Sequence, residues 1–357
     1  MQETAMQWRG GQTGETDRPP FPHRRRVLGG AAALALCPPL AAANGSAARI
    51  DALRAEAAGF DQLHAIIVAH RGEVLVADAF RGPAISRPVN VKSVSKTLVA
   101  TLAGIAIGKG VLDGTDQPVA PLLSPFLPRE RDPRLERITV DHLLTMRAGL
   151  ARTSGRAYGA FVESPNWLAH ALSRPFTADP GARFQYSTGS YHLLGAALSR
   201  AAGESLLDLA RQWLGQPLGI DLPPWTRDPQ GYFLGGNNMA LSPRAMLRFG
   251  ETWRLGGLHD GEAVVPGTWV EAAWTPRTRS PFSGDDYGYG WFLTRLGGYA
   301  AAYARGYGGQ MIYVLPELDL TVAITSDPTR PARSAGYAGA LKRLVARHAV
   351  PIAEAAR

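Results

Sequence analysis

The chain has 357 residues, of which 45% are apolar and 19% charged, a composition typical of one large globular domain or of a domain with a subdomain. Its formal net charge of +8 comes from scattered arginines, without a basic block or interleaved aromatic residues. This pattern argues against nucleic acid as a partner.

Residues 1–48 have the order of regions found in an export signal. Arg24–Arg26 precede a short apolar run that ends at Leu36, and small residues follow it, as in the n-, h- and c-regions of a signal peptide. The run is too short to span a bilayer, and its Arg-Arg-x-Val-Leu start resembles a twin-arginine signal. We therefore expect cleavage between Ala43 and Ala48 and a periplasmic or secreted protein without stable membrane insertion.

Cys37 is the only cysteine of the chain and lies in this leader. The mature protein is therefore expected to have no thiol nucleophile, no disulfide and no cysteine-bound metal. A lipoprotein signal that ends at Cys37 is the alternative to a simply cleaved leader, although the bulky Leu36 and the prolines after Cys37 do not suit such a site.

Two segments after the leader predict the start of a folded domain. The run Leu63–Phe80 is β-rich on both sides of Arg71-Gly72 and predicts a hairpin. The next segment, "VNVKSVSKTLVATLAGIAIGKG", predicts a helix from Ser93 to Ile107, ended by the glycines that follow. Its apolar residues lie on several faces, so we expect this helix to be buried.

The rest of the chain is first helical and then β-rich. Apolar residues recur at helical spacing through about 119–276, with Pro and Gly clusters between the segments. After Asp286 the period changes to two, which predicts further hairpins that turn at Gly297-Gly298 and at Pro316–Asp319. A helix closes the chain.

The order strands, helices, strands, helix predicts an α+β fold for residues 49–357. Segments at about 50–90 and 286–350 would share one antiparallel sheet flanked by helices, and about 91–285 would form a helical insertion subdomain. A cleft is expected where the two parts meet.

The segment Ser93-Val94-Ser95-Lys96 places a lysine in the first turn of the predicted buried helix, in a chain with only four lysines. A lysine suits this place poorly, because burial and the helix dipole both lower its pKa. Ser93 lies one turn earlier on the same face, so a neutral Lys96 amine could activate the serine hydroxyl as a nucleophile. In the alternative, Lys96 pairs with a carboxylate and Ser93 only caps the helix. Lys92 is interpreted as a solvated residue before the helix.

These residues lie within a longer resemblance to a known family. Between about Leu63 and Ser326 the chain contains, in order, "HAIIVAHRGEVLVADAF", "NVKSVSKTLVATLAGIAIGKGVL", "ITVDHLLTMRAGL", "GARFQYSTGSYHLLGAAL", "LSPRAMLRFG" and "YARGYGGQMIYVLPELDLTVAIT". The sequence resembles the serine β-lactamase and penicillin-binding-protein superfamily, and looks most similar to the class C β-lactamase and esterase branch and to 6-aminohexanoate-oligomer hydrolases. The resemblance implies a β-lactamase/transpeptidase-like fold, covalent acyl-enzyme chemistry, and no metal or other cofactor.

The family's second motif, Tyr-x-Asn, falls on Tyr186-Ser187-Thr188. The resemblance implies that Tyr186 carries the proton between Ser93 and the leaving group, which a phenol of pKa about 10 does poorly unless Lys96 lowers that pKa. The alternative is a core tyrosine beneath a helix start. Thr188 takes the place of the asparagine, so the amide that would hold a substrate carbonyl is missing and Thr188 is the candidate substrate contact.

The family's third motif, a cation followed by Thr or Ser and Gly on a strand, falls on Ala304-Arg305-Gly306. Ala304 lacks the cation, and Arg305 places a positive charge at the next position. By resemblance, Gly306 lets substrate approach the strand, the N–H of Tyr307 is the second oxyanion donor, and Gly308 belongs to the substrate site. The alternative for this glycine-rich run is a bulged strand end.

Other residues point less clearly to a site. Asp285, Asp286 and Trp291 either line the substrate cleft or form a solvated loop and a core aromatic, and the second interpretation is favoured. His64 and His70 flank one predicted strand and are interpreted as packing residues rather than metal ligands. The chain has no Gly-x-Ser-x-Gly segment, which disfavours an α/β-hydrolase.

Together these residues predict an exported serine hydrolase that cuts ester or amide bonds of small molecules. Ser93 would attack the carbonyl, Lys96 and Tyr186 would move protons, and the amides of Ser93 and Tyr307 would hold the oxyanion. The substituted second and third motifs favour a carboxylesterase or amide hydrolase over a β-lactamase or D,D-peptidase. They also leave open a sensor or binding protein that keeps the fold without turnover.

Overall fold

The computed structural model describes the backbone of residues 40–357 and the side chains from residue 46 onward. The predicted arginine cluster, apolar run and Cys37 of the leader lie outside the described residues. The predicted cleavage segment falls within a helix, Leu40–Ala58 (α1), that the sequence analysis did not predict.

The centre of the structure is an eight-stranded antiparallel sheet in the order β2-β1-β12-β11-β10-β9-β8-β7. Its strands are, in chain order, Leu63–His70 (β1), Glu73–Ala79 (β2), Thr278–Arg279 (β7), Asp286–Tyr287 (β8), Phe292–Leu296 (β9), Tyr299–Gly306 (β10), Gln310–Leu315 (β11) and Leu320–Ser326 (β12). Two short pairs lie outside it: Val89–Asn90 (β3) with Ala240–Leu241 (β4), and Leu258–His259 (β5) with Glu262–Ala263 (β6). The sheet confirms the predicted α+β, β-lactamase/transpeptidase-like fold.

The three predicted hairpins are all present. β1 pairs with β2 across Arg71-Gly72, β9 with β10 across Gly297-Gly298, and β11 with β12 across Pro316–Asp319. The sheet is completed by pairing β1 with β12, so the two distant β-rich regions form one sheet as expected. The edge strand β7 comes from within the region predicted to be helical.

Apart from α1, which precedes β1, the helices lie between β2 and β7 and after β12. Before β7 they are Val94–Gly108 (α2), Val140–Leu144 (α3), Tyr158–Val162 (α4), Trp167–Leu172 (α5), Thr188–Ala202 (α6), Leu206–Ala210 (α7), Gln216–Leu218 (α8), Pro243–Arg254 (α9) and Gly267–Ala273 (α10); after β12 they are Tyr337–Leu344 (α11) and Val350–Ala355 (α12). Every residue of β11 and β12 is buried. Helix α9 packs on these strands, while α1 packs on β1 and β2 and on α11 and α12.

Helix α2 confirms the predicted buried helix. All residues from Val94 to Ala106 are buried, including Lys96. The helix contacts α6 of the helical part and strands β10 and β11 of the sheet. Its N-terminus is thereby fixed at the junction of the two parts, where a cleft was expected.

Candidate active site

Ser93 lies at the N-terminus of α2, after a tightly held turn. Lys92 has a φ of 52°, a left-handed conformation that costs a residue other than glycine on the order of 1 kcal/mol or more. The turn is fixed by the Lys92 N–H, which donates to Asn90 Oδ1 at 2.8 Å, and by Ser95 Oγ, which donates to the Lys92 carbonyl at 2.5 Å. The Val91 N–H donates to Met239 O at 3.0 Å, which ties the turn to the segment before β4.

Lys96 contacts Ser93 directly. Its Nζ lies 2.9 Å from Ser93 Oγ and donates to the carbonyl of Gly236 at 2.5 Å. Burial lowers the pKa of Lys96 to about 7, because the charged form loses its hydration. Within the described part of the chain Lys96 forms no ion pair with a carboxylate, and Ser93 makes no side-chain cap. The alternative of a paired lysine and a capping serine is therefore wrong.

Tyr186 lies beside both Lys96 and Ser93. Lys96 Nζ lies 4.9 Å from the centroid of the Tyr186 ring. Burial raises the pKa of Tyr186, opposed by a hydrogen bond with Ser93 and by the charge of Arg305. The condition stated for Tyr186 as a base, a pKa lowered by Lys96, is therefore not met. Desolvation of the phenolate outweighs its favourable neighbours, and the side chain is a protonated phenol at neutral pH.

The second motif is held in place by the loop before α4. The N–H of Thr188 donates to Ser154 Oγ at 2.8 Å, and the hydroxyls of the same two residues are 2.9 Å apart. Thr153 holds the neighbouring backbone, since its Oγ1 accepts from the Gly189 N–H at 2.7 Å. Any side chain at Gly236 would clash with Thr188, so a glycine there lets the Gly236 carbonyl reach Lys96.

The third motif is brought to the same place by β10. Arg305 points toward the loop after β12, where its guanidinium donates to Ser334 Oγ and to the Ala332 carbonyl, both at 2.7 Å. Ala304 is fully buried. A Cβ at Gly306 would clash with the carbonyl oxygen of Val91. The structure therefore explains this glycine by the close packing of β10 on the turn before Ser93, and not only by access for a substrate.

Tyr307 and Gly308 directly follow β10, but only Tyr307 lines the cavity. The Tyr307 side chain is 51% exposed at the cavity rim. In the described part of the chain, neither the N–H of Tyr307 nor that of Ser93 has an intramolecular acceptor, as required of two oxyanion donors. Gly308 is a buried turn residue with a φ of 85°, and its carbonyl accepts from Gln62. It is not part of the cavity wall, which leaves it a structural role.

These residues open into a cavity of about 490 Å³. Of the residues named from the sequence, Ser93, Tyr186, Thr188, Arg305, Gly306 and Tyr307 line it, and Lys96 lies buried behind Ser93. Lys92 lies directly before the helix, as interpreted, and its half-buried side chain also lines the cavity.

Several wall residues were missed by the sequence analysis. They are mainly aromatic or hydroxyl and amide side chains: Ser154, Tyr158, Asn237, Ser280, Phe282 and Phe292. Asn237 Nδ2 donates to the Tyr158 hydroxyl at 3.2 Å. The run Gly235-Gly236-Asn237-Asn238 signals a turn in the sequence, but no local pattern shows which cavity that turn reaches.

The three residues with two interpretations, Asp285, Asp286 and Trp291, do not line the Ser93 cavity. Asp285 is buried and accepts from Lys342 Nζ at 2.8 Å and from the Tyr303 hydroxyl at 2.5 Å, outside the Ser93 cavity. Trp291 is fully buried among Phe249, Trp253 and Trp274. Asp286 is an exposed residue of β8.

His64 and His70 occupy the two ends of the buried strand β1. His70 is 6% exposed, and burial lowers its pKa. The described residues contain no group of three His, Cys, Asp or Glu side chains placed to hold a metal ion. Across the same residues, no helix has the length and apolar character needed to cross a membrane.

An antiparallel sheet flanked by helices, with a serine and a lysine on the first turn of a buried helix and a tyrosine beside them, defines the β-lactamase/transpeptidase-like class. A family model described as Beta-lactamase matches residues 60–347. The chain therefore belongs to the beta-lactamase family.

Individual relatives match more distantly. Esterase EstB of Burkholderia gladioli is 30% identical over 198 residues, 49% of this chain and 50% of EstB. A Dichelobacter nodosus protein assigned to fimbrial assembly (FimD, serogroup H1) is 33% identical over 146 residues, 38% of this chain and 36% of FimD. The chain thus spans between about a third and a half of the length of these curated relatives.

Solved structures of the class share the fold. A Bacillus anthracis protein assigned as a 6-aminohexanoate-dimer hydrolase aligns with a TM-score of 0.67 at 17% identity, covering 81% of this chain and 80% of that one. Similarity at this level shows a common fold.

Proposed function

We propose that this protein is a serine hydrolase that cuts ester or amide bonds of small molecules through an acyl-enzyme. The observation that carries the proposal is the 2.9 Å contact between Lys96 Nζ and Ser93 Oγ, made by a buried amine whose pKa is lowered to about 7. At neutral pH a large fraction of this amine is unprotonated and can accept the serine proton.

The proposed reaction has two halves. Ser93 Oγ bonds to the substrate carbonyl carbon while its proton passes to Lys96, and the N–H groups of Ser93 and Tyr307 hold the oxyanion. The bond to the leaving group then breaks, the Tyr186 phenol gives that group its proton, and Lys96 returns a proton to Tyr186. Water attacks the acyl-enzyme along the reverse proton path and releases the acid.

Ester or amide substrates are favoured over β-lactams and peptidoglycan peptides. The carboxamide expected at position 188 is absent, and the Thr188 hydroxyl is bonded to Ser154. The cation of the third motif is displaced to Arg305, which is held by Ser334 and Ala332. Two comparisons agree with this preference: the sequence similarity to esterase EstB, and the fold shared with the protein assigned as a 6-aminohexanoate-dimer hydrolase.

The test is intact-mass analysis after treatment with a fluorophosphonate. We expect one adduct on the wild-type protein and none on Ser93→Ala, with Ser124→Ala, at an exposed serine outside the cavity, as the control that keeps Ser93. Equal labelling of Ser93→Ala would refute the assignment. Hydrolysis of p-nitrophenyl esters, a linear amide oligomer and a chromogenic cephalosporin then ranks the substrates.

The second candidate is a sensor or binding protein without turnover, favoured by the altered second and third motifs and by the partial match to a fimbrial assembly protein. The same mass experiment separates the two. A stable adduct with no hydrolysis of any ester or amide in the panel would support the second candidate.

Export is also part of the proposal and rests on the arginine cluster and short apolar run of the first 48 residues. It is tested by cell fractionation and by sequencing the N-terminus of the mature protein. A mature N-terminus between residues 43 and 49 in the periplasm or medium is expected. A mature N-terminus at a lipid-modified Cys37 would assign a lipoprotein signal instead, and an intact cytoplasmic chain would refute export.

A further inference from the structure

A second cavity of about 510 Å³ adjoins the Ser93 cavity. The two share the side chains of Tyr186 and Phe282. The other lining residues of the second cavity are Arg152, Arg183, Phe184, Gln185, Arg279 and Pro281. We name it the arginine cavity.

The charges of the arginine cavity all have one sign. Arg152, Arg183 and Arg279 are exposed, and neither this cavity nor the Ser93 cavity has an Asp or Glu in its wall. Elsewhere in the chain, arginines of the helical part such as Arg134 and Arg147 are paired with carboxylates.

None of the three arginines has a carboxylate partner among the described residues, although Arg152 and Arg279 have other contacts. Arg279 Nε donates to the Gly284 carbonyl at 2.8 Å, and the Arg152 guanidinium lies 5.9 Å from the centroid of Phe282. Like charges around one cavity repel each other, and a bound anion relieves this repulsion. Guanidinium groups also have the fork geometry that carboxylates bind.

We propose that the arginine cavity binds a carboxylate of the substrate while the scissile carbonyl lies at Ser93. This inference rests on the proposed function and adds a substrate class to it: esters or amides that carry an acidic group. Phe282, which is 58% exposed between the two cavities, would contact the apolar part that joins the carboxylate to the carbonyl. Because Tyr186 also lines both cavities, this apolar part of the substrate would lie beside the phenol that protonates the leaving group.

The kinetic test compares matched esters with and without a carboxylate. p-Nitrophenyl hemiglutarate against p-nitrophenyl butyrate places the anion on the acyl side, and 4-butyryloxybenzoate against phenyl butyrate places it on the leaving-group side. We expect the carboxylate to raise kcat/KM about tenfold in at least one pair, an advantage that falls as NaCl is added.

Variants locate the effect. In Arg183→Gln and Arg152→Gln the ratio of kcat/KM for the anionic and neutral esters should fall about fivefold each. The control is Arg295→Gln. Arg295 is an exposed arginine of β9 that pairs with the start of β10, at the opposite end from Gly306. Like Arg279, it donates to a turn carbonyl. An unchanged ratio in both cavity variants, or the same fall in Arg295→Gln, would overturn the proposal.

A binding measurement separates this inference from the proposed function. In Ser93→Ala, isothermal titration with 4-phenylbutyrate and with its neutral amide does not depend on turnover. Tighter binding of the acid that is lost in Arg183→Gln supports the arginine cavity even if Ser93 is not the nucleophile. Equal affinity for the acid and the amide contradicts it even if Ser93 is labelled.

Discussion

Lys96 is the residue whose protonation should control the reaction. Its pKa is lowered to about 7 by burial, so the rate of Ser93 acylation should rise with pH through about 7 and level off when the amine is neutral. Single-turnover labelling by a fluorophosphonate between pH 5.5 and 9 measures this rate. A rate that falls over the same range would contradict a neutral amine as the base.

Burial of Lys96 should also lower the free energy of unfolding at neutral pH. Unfolded lysine has a pKa of about 10.4, so between pH 7 and that value the unfolded chain binds a proton that the folded one does not. The wild-type free energy of unfolding should therefore rise with pH across this window, and Lys96→Met should lack the rise. We expect Lys96→Met to lose about 10²- to 10⁴-fold in activity and to unfold at a higher temperature at pH 7. Lys109→Met, at the exposed end of the same helix, is the control and should change neither.

Tyr186 is expected to act through its hydroxyl and not through its ring. Tyr186→Phe keeps the aromatic wall but removes the proton donor, and we expect kcat to fall about 10²-fold or more. Tyr158→Phe removes a hydroxyl from the same cavity whose one hydrogen-bond partner in the described part of the chain is Asn237. We expect activity to drop less than about fivefold. Similar losses in both variants would assign the effect to cavity shape.

At the scale of elements, the site depends on the contact between β10 and the turn before α2. Gly306→Ala should force these segments apart, because a Cβ meets the Val91 carbonyl. Overpacking of this kind costs about 1–3 kcal/mol, and displacement of the Tyr307 amide should lower activity about 10²-fold. Thermal unfolding and ester hydrolysis measure the two effects. Gly114→Ala, where a Cβ has open space, should leave both unchanged within error.

The sequence predicted the elements of the site better than their contacts. The hairpins and the buried helix follow from local period, and Ser93 and Lys96 follow from helical spacing. The Gly236 carbonyl that binds Lys96, and the cavity residues Asn237 and Tyr158, come from segments far along the chain from α2. Contacts of this kind depend on packing of whole elements, which no local pattern records. The raised pKa of Tyr186 could not be predicted for the same reason, since its burial is a tertiary property.

At the scale of the whole molecule, Asp285 links the sheet to the C-terminal helix. It accepts from Tyr303 on β10 and from Lys342 on α11. Although burial raises the pKa of Asp285, the hydrogen bonds from Lys342 and Tyr303 lower it below its ordinary value overall. Its contribution to stability is therefore present above the unfolded pKa of about 3.9 and is lost as pH falls through the lower folded value.

Asp285→Asn should accordingly cost about 2–3 kcal/mol at pH 7, because Lys342 keeps its charge without a partner. The loss should shrink as the pH falls from about 3.9 toward the lower folded pKa of Asp285, below which the wild type loses the same pair. Urea unfolding at pH 7 and at about pH 3 measures this. Asp286→Asn, at the exposed neighbouring residue in β8, is the control. An equal loss at both pH values would assign the effect to packing and not to charge.

The pairing of β1 with β12 has a consequence for biosynthesis. The first strand of the sheet lies near the start of the domain and its partner near the end, so β1 has β2 on one side and an open edge on the other until the ribosome has made almost the whole chain. Nascent chains and premature-stop fragments expose this apolar edge, which is a template for aggregation. The sheet can therefore be completed only after almost the whole chain has been synthesised.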